Sequence, residues 1–118
     1  MDKNVNSSKL KTAQSHISSQ MPKPKVDTYM DPEYWYHKGV VLNQNDSALK
    51  SALKCYKQAL MLNPEHTPSI FNLACNYQKN GEPAEAKIQF EKAIKVREDW
   101  PDAYYGLTLT CIQLDLTS

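Results

Sequence analysis

The sequence predicts an all-α chain, a stack of five antiparallel helices that follows a polar tail. Three observations carry this reading. Helix-start signals recur at Asp31-Pro32-Glu33, Thr67-Pro68 and Trp100-Pro101. Apolar residues return at a spacing of 34 along the body of the chain. No stretch alternates apolar and polar residues in the way a half-buried strand would.

The elements follow in order. Residues 1–31 carry many Ser, Asn, Gln and Lys and no Gly, Trp or Phe, and they contain Pro22-Lys23-Pro24. Such a segment buries too little apolar surface to offset the entropy of ordering its backbone, so a disordered tail is expected. One feature competes. Leu10, Ala13, Ile17 and Met21 fall on a single weak helical stripe, which could act as a short motif that folds on a partner. The first helix, 32–43, opens with a capping Asp, Pro in the first turn and an acid at the positive helix end. Breakers at Asn43–Ser47, Asn63-Pro64, Asn80-Gly81-Glu82-Pro83 and Arg97–Trp100 then divide the body into helices 47–62, 67–80, 83–97 and 101–115.

A subtraction exposes the repeat. Ala52, Tyr56, Ala59, Leu60 and Leu62 are followed 34 residues later by Ala86, Phe90, Ala93, Ile94 and Val96. Ile70, Leu73 and Tyr77 are followed 34 later by Tyr104, Leu107 and Cys111. Backward from Ile70 and Tyr77, Trp35 and Leu42 match at a spacing of 35, and the extra residue falls in the Asn43–Ser47 turn, where an insertion costs little.

This pattern resembles the tetratricopeptide repeat (TPR) family. Trp35, Gly39, Ala52, Tyr56, Ala59 and Pro64 fill its signature in a first unit, 32–66. Leu73, Ala74, Tyr77, Ala86, Phe90 and Ala93 fill it in a second, 67–100. A partial third unit, 101–118, supplies Tyr104 and Leu107 on its first helix. Lys38, Glu98 and Thr108 depart from the pattern, standing where Leu, Pro and a small residue are usual. The residue types have a cause: antiparallel helices approach closely only where side chains are small. Gly39 is therefore expected against the Ala52/Ala59 face and Ala74 against Ala86/Ala93, with Trp35, Tyr56, Tyr77 and Phe90 filling the gaps between units. The resemblance implies a TPR α-solenoid and a non-catalytic module that binds another protein.

Composition narrows the alternatives. Fourteen basic residues nearly balance thirteen acidic ones, for a net charge of +1, which gives no basic patch for nucleic acid. No apolar run approaches the ~20 residues of a membrane span. The first residues lack a secretory h-region and an Arg-rich presequence, so a cytoplasmic or cytosol-contiguous location is expected. Cys55, Cys75 and Cys111 form no C-x-x-C and have no His at ligand spacing, so they read as reduced core or groove residues rather than disulfides or a zinc site. No cofactor and no metal are expected.

In a TPR stack the first helices line the concave surface. At roughly 100° per residue, Trp35, Gly39 and Leu42 point to their own second helix, leaving Tyr36, His37 and Val40 for the groove. Their repeat equivalents are Phe71, Asn72 and Cys75, then Tyr105, Gly106 and Leu109. A groove of this kind, aromatic with two polar handles, suits an apolar or amphipathic peptide or helix of a partner. The alternative is a terminal piece of a larger TPR scaffold or enzyme-assembly subunit, its groove covered by further helices or by the chain's own tail. The carboxylate clamp of TPR co-chaperones maps onto Tyr36, Val40, Asn72, Asp102 and Gly106; only Asn72 fits, and Asp102 would repel a carboxylate. Nor does Asn72 belong to an asparagine ladder, since its equivalents are His37 and Gly106. His37 and Cys75 are the minimal ingredients of a nucleophile pair, yet no orienting acid, phosphate loop or nucleophile elbow accompanies them. The last helix is apolar most of the way round, so self-association or fraying from Pro101 onward is expected.

Overall fold

The computed structural model describes the backbone of residues 26–117 and the side chains of 27–116. The polar segment before Val26, with the Leu10–Met21 stripe, lies outside the described residues. Five α-helices form, α1 (Pro32–Leu42), α2 (Leu49–Leu62), α3 (Thr67–Lys79), α4 (Pro83–Val96) and α5 (Pro101–Thr117). No strand occurs among the described residues.

Local chemistry sets the boundaries. Asp31 caps α1, its carboxylate accepting from the Glu33 N–H at 2.9 Å. The second helix begins at Leu49 rather than 47, because Asp46–Ala48 winds as a 3-10 turn capped by Asn45. Proline occupies the first turn of α1, α3 and α4, where its missing N–H costs nothing. A further 3-10 turn, Val26–Met30, precedes α1 and was not anticipated from the sequence.

Each helix packs on its chain neighbour, α1 on α2, α2 on α3, α3 on α4 and α4 on α5, and α3 also touches α5. One core cluster joins Ala52, Leu53 and Tyr56 of α2 to Leu73, Ala74 and Tyr77 of α3 and to Ala86 and Phe90 of α4. A second joins Ile70, Ala93 and Ala103. Tyr56 and Phe90 are fully buried, and each such side chain contributes roughly 1.5–3 kcal/mol.

Gly39 meets the Tyr56 ring, which lies between Ala52 and Ala59 on the same face of α2: a Cβ there would lie 2.7 Å from Tyr56 Cε1. One expectation about this core needs correction. Trp35 does not fill the gap between units. Its indole N–H donates to the Tyr29 carbonyl at 2.9 Å, and its ring meets Tyr29, Tyr34 and the Lys38 ammonium. The Val26–Met30 turn causes this, by bringing Tyr29 against the start of α1 and offering a carbonyl to the indole.

Candidate interaction face

The first helices carry two rows at helical spacing of four, which places each pair on one stripe. Tyr36, Phe71 and Tyr105 form one row; Val40, Cys75 and Leu109 form the other. Tyr36, Val40, Phe71 and Cys75 are half-buried, while Tyr105 is 67% and Leu109 40% exposed. The rings are held from behind. Tyr36 packs on Tyr56 and on His66, with centroids 6.1 and 5.4 Å apart. Phe71 stacks on Trp100 at 4.8 Å and meets Phe90 edge-on at 5.9 Å.

His66 and Trp100 are therefore part of this face, and sequence reasoning passed over both. They stand 34 residues apart, each just before a first helix, and each backs the aromatic of the preceding first helix. The repeat spacing was the signal, hidden because both lie in turns. The Arg97 guanidinium lies over Trp100, 5.1 Å from the ring centre.

His37, Asn72 and Gly106 do not share these rows, a correction to the expected groove. Asn72 turns back toward α2, its amide donating to Tyr56 Oη at 3.2 Å. Gly106 is buried directly beneath the Phe90 ring. His37 is exposed, with Nε2 3.4 Å from Glu33 Oε1. This position faces the preceding second helix, and α1 has no such helix among the described residues.

Glu33, His66 and Ser69 form a relay, with His66 Nε2 2.5 Å from Glu33 Oε2 and Nδ1 2.7 Å from Ser69 Oγ. Ser69 is 0% exposed. The relay ties α1 to the start of α3. Burial pushes the Cys75 thiol up from its ordinary value; Lys79 opposes this, Asp102 adds to it, and His37 takes no part. Burial also raises Cys55. No group of three or more His, Cys, Asp or Glu among the described residues is placed to hold a metal ion. No helix among them is long and apolar enough to cross a membrane.

Comparison with known proteins agrees with this architecture. The tetratricopeptide repeat profile matches residues 32–66 and 67–99. The chain belongs to the tetratricopeptide repeat family. Such repeats make it a protein–protein interaction module. It is similar to Superkiller complex protein 3 of Mus musculus, 40% identical over 57 residues, covering 48% of this chain and 4% of that protein. It is also similar to Cellulose synthase operon protein C of Pseudomonas fluorescens (strain SBW25), 36% identical over 66 residues, covering 56% of this chain and 5% of that protein. The chain thus spans only a small part of the length of these relatives. The crystal structure of MamA shares the fold, with a TM-score of 0.71 at 23% identity over 75% of this chain and 51% of that one.

Proposed function

We propose that the Tyr36–Phe71–Tyr105 and Val40–Cys75–Leu109 rows receive an apolar or amphipathic peptide, or one helix, of a partner protein, and that the chain acts by binding alone. The observation that carries this is the exposure of Tyr105 and Leu109 in line with half-buried aromatics whose own backs are packed. Rigid aromatics anchored from behind and bare in front supply contact area at low ordering cost. Three free cysteines support a reducing, cytoplasmic or cytosol-contiguous setting.

Selection of amphipathic peptides from a display library on the whole chain tests the reading. Selected peptides should shift the amide resonances of α1, α3 and α5, and Tyr105→Ala with Leu109→Ala should weaken them at least about tenfold, as loss of a hot spot does. Peptides that map to α2 and α4, or that ignore the double variant, would sink it.

A second reading, a portion of a larger scaffold, is favoured by the apolar side of α5 at Tyr104 and Ile112, 46% and 51% exposed. The intact mass of the native protein separates the two.

A further inference from the structure

Three rings converge on Tyr36, and each is itself held by a hydrogen bond or an ion pair. His37 meets it edge-on with centroids 5.1 Å apart, His66 lies at 5.4 Å and Tyr56 at 6.1 Å. The two imidazoles answer to one carboxylate. Glu33 Oε2 stands 2.5 Å from His66 Nε2, and Oε1 stands 3.4 Å from His37 Nε2. Tyr56, the third ring, accepts from the Asn43 and Asn72 amides through its hydroxyl. Spacing in the sequence produces this arrangement. Glu33 precedes Tyr36 by three residues and His37 by four, so all three share one stripe of α1. The backbone of Glu33 is fixed in turn, because its N–H donates to Asp31 at the helix start.

The imidazole behind Tyr36 has little freedom left. A carboxylate only accepts, so His66 Nε2 donates to Glu33. The other nitrogen, Nδ1, lies 2.7 Å from Ser69 Oγ, where His66 is 6% and Ser69 0% exposed. A ring bonded at both nitrogens cannot turn over without breaking both bonds, and the partner of one nitrogen sets the role of the other. The second unit holds its ring differently. Pro68 stands where Glu33 stands in the first unit, and Phe71 is fixed by Trp100 and Phe90. Apolar contact thus holds Phe71, whereas Tyr36 depends on neighbours that a single acid orients.

We propose that Glu33 is a positioning residue of the interaction face: its carboxylate orients His37 and His66 and so fixes the Tyr36 ring that a partner meets. The proposal rests on the reading that the aromatic rows receive a partner segment. A ring fixed before contact removes part of the ordering cost of binding, so the benefit falls on affinity. The role is hidden in the sequence, because an acid in the first turn of a helix already has a sufficient reason to stand there in the helix dipole.

NMR of the full chain tests it, first without any peptide. Nuclear Overhauser contacts should join the Tyr36 ring to the His37 and His66 rings in the native chain. Glu33→Ala should lose both sets, while Glu33→Gln, whose amide oxygen still accepts from His66, should keep the His66 set. A display-selected peptide that Tyr36→Ala weakens is then titrated. Glu33→Ala should weaken it about three- to tenfold, and Glu33→Gln less than about twofold. On the Tyr36→Ala background, Glu33→Ala should add less than about twofold, because the two residues act as one. Ring contacts that persist in Glu33→Ala overturn the proposal. An equal loss with and without the Tyr36 ring also overturns it, since Glu33 would then touch the partner directly. So does faster amide exchange throughout Pro32–Leu42 in Glu33→Ala, which would make the effect a loss of α1 itself. If Tyr36→Ala weakens no selected peptide, the reading of the rows fails at this end, and the peptide-free ring contacts still decide the role of Glu33.

Discussion

Two seams join a second helix to the first helix that follows it, and they solve one packing problem in different ways. At the α2–α3 seam the buried ring is Tyr56, and its hydroxyl is met by the amides of Asn43 at 3.3 Å and Asn72 at 3.2 Å. At the α4–α5 seam the equivalent ring is Phe90, with no hydroxyl to satisfy. Gly106 replaces Asn72 there and lets the ring press against the α5 backbone. The amide equivalent to Asn43 is that of Gln78, which donates instead to Thr110 Oγ1 at 2.9 Å, and that hydroxyl donates to the Gly106 carbonyl at 2.8 Å. One hydroxyl on a ring thus determines whether the facing position holds an amide or nothing. A polar seam fixes geometry through directional bonds, and an apolar seam fixes it through contact.

The largest effect should come from removing the apolar plug. Phe90→Ala deletes a fully buried ring that touches Phe71 and Gly106. A loss of about 3–5 kcal/mol is expected in urea unfolding, within the range for truncating a buried Phe. A loss under about 1 kcal/mol would show that α5 contributes little to the cooperative unit. Gly106→Ala ranks next. Alanine gains about 1 kcal/mol of helix propensity. Its methyl must displace a ring that is 0% exposed, and overpacking of this kind costs roughly 1–3 kcal/mol. Net destabilisation that Phe90→Leu relieves would identify the clash as the cause. Stabilisation by Gly106→Ala would mean that the seam is looser than the contact implies.

Tyr56→Phe should cost less. It turns the first seam into a copy of the second without the matching glycine, leaving the Asn43 and Asn72 amides without their shared acceptor. One net hydrogen bond is worth about 1 kcal/mol, so a loss near that size is expected by thermal or urea unfolding. Adding Asn72→Gly, which copies the glycine that faces Phe90, should give a smaller further loss than Asn72→Gly alone. Strict additivity would show that the ring and its facing residue are uncoupled.

Much of the fold was legible because its signals are local. Asp31, Pro32, Pro68, Pro83 and Pro101 mark helix starts through backbone chemistry that needs no neighbour, and the 34-residue recurrence names the pairs. The rows of the interaction face were legible only in part. In the sequence, residues 36 and 37 both fall off the Trp35–Gly39–Leu42 stripe, and only the position of the preceding second helix separates a groove residue from a seam residue. That is why Asn72 and Gly106, expected in the groove, lie at the seams instead. Trp35 was misread for a related reason. The Tyr29 carbonyl that holds its indole belongs to a short turn of Val-Asp-Thr-Tyr-Met, which has no apolar period and no strong cap. His66 and Trp100 were hidden in connections, where a side chain's direction depends on the turn rather than on a period.

The smallest expected effect on stability falls on the exposed row, and it separates that row from both seams. Tyr105 is 67% exposed, and it lies one residue before Gly106, whose backbone carries the Phe90 ring. If Tyr105 belonged to the seam, Tyr105→Ala would resemble Phe90→Ala in kind. If it belongs to the interaction face, the truncation removes little buried surface, and alanine's high helix propensity offsets what is lost. A change within about 0.5 kcal/mol is expected in urea unfolding, typical of a surface site away from caps and networks. The exchange rates of the Pro101–Thr117 amides should likewise stay unchanged, since the Gln78–Thr110 bond and the ring-on-glycine contact remain. A loss above about 1.5 kcal/mol would exceed what surface truncation gives and would move Tyr105 from the face into the packing of α5. Phe71 is the internal control. It occupies the same row one repeat earlier but is stacked on Trp100, so Phe71→Ala should destabilise clearly more than Tyr105→Ala. Equal effects at the two positions would mean that the row is uniform, and the distinction between an anchored ring and a bare one would fail.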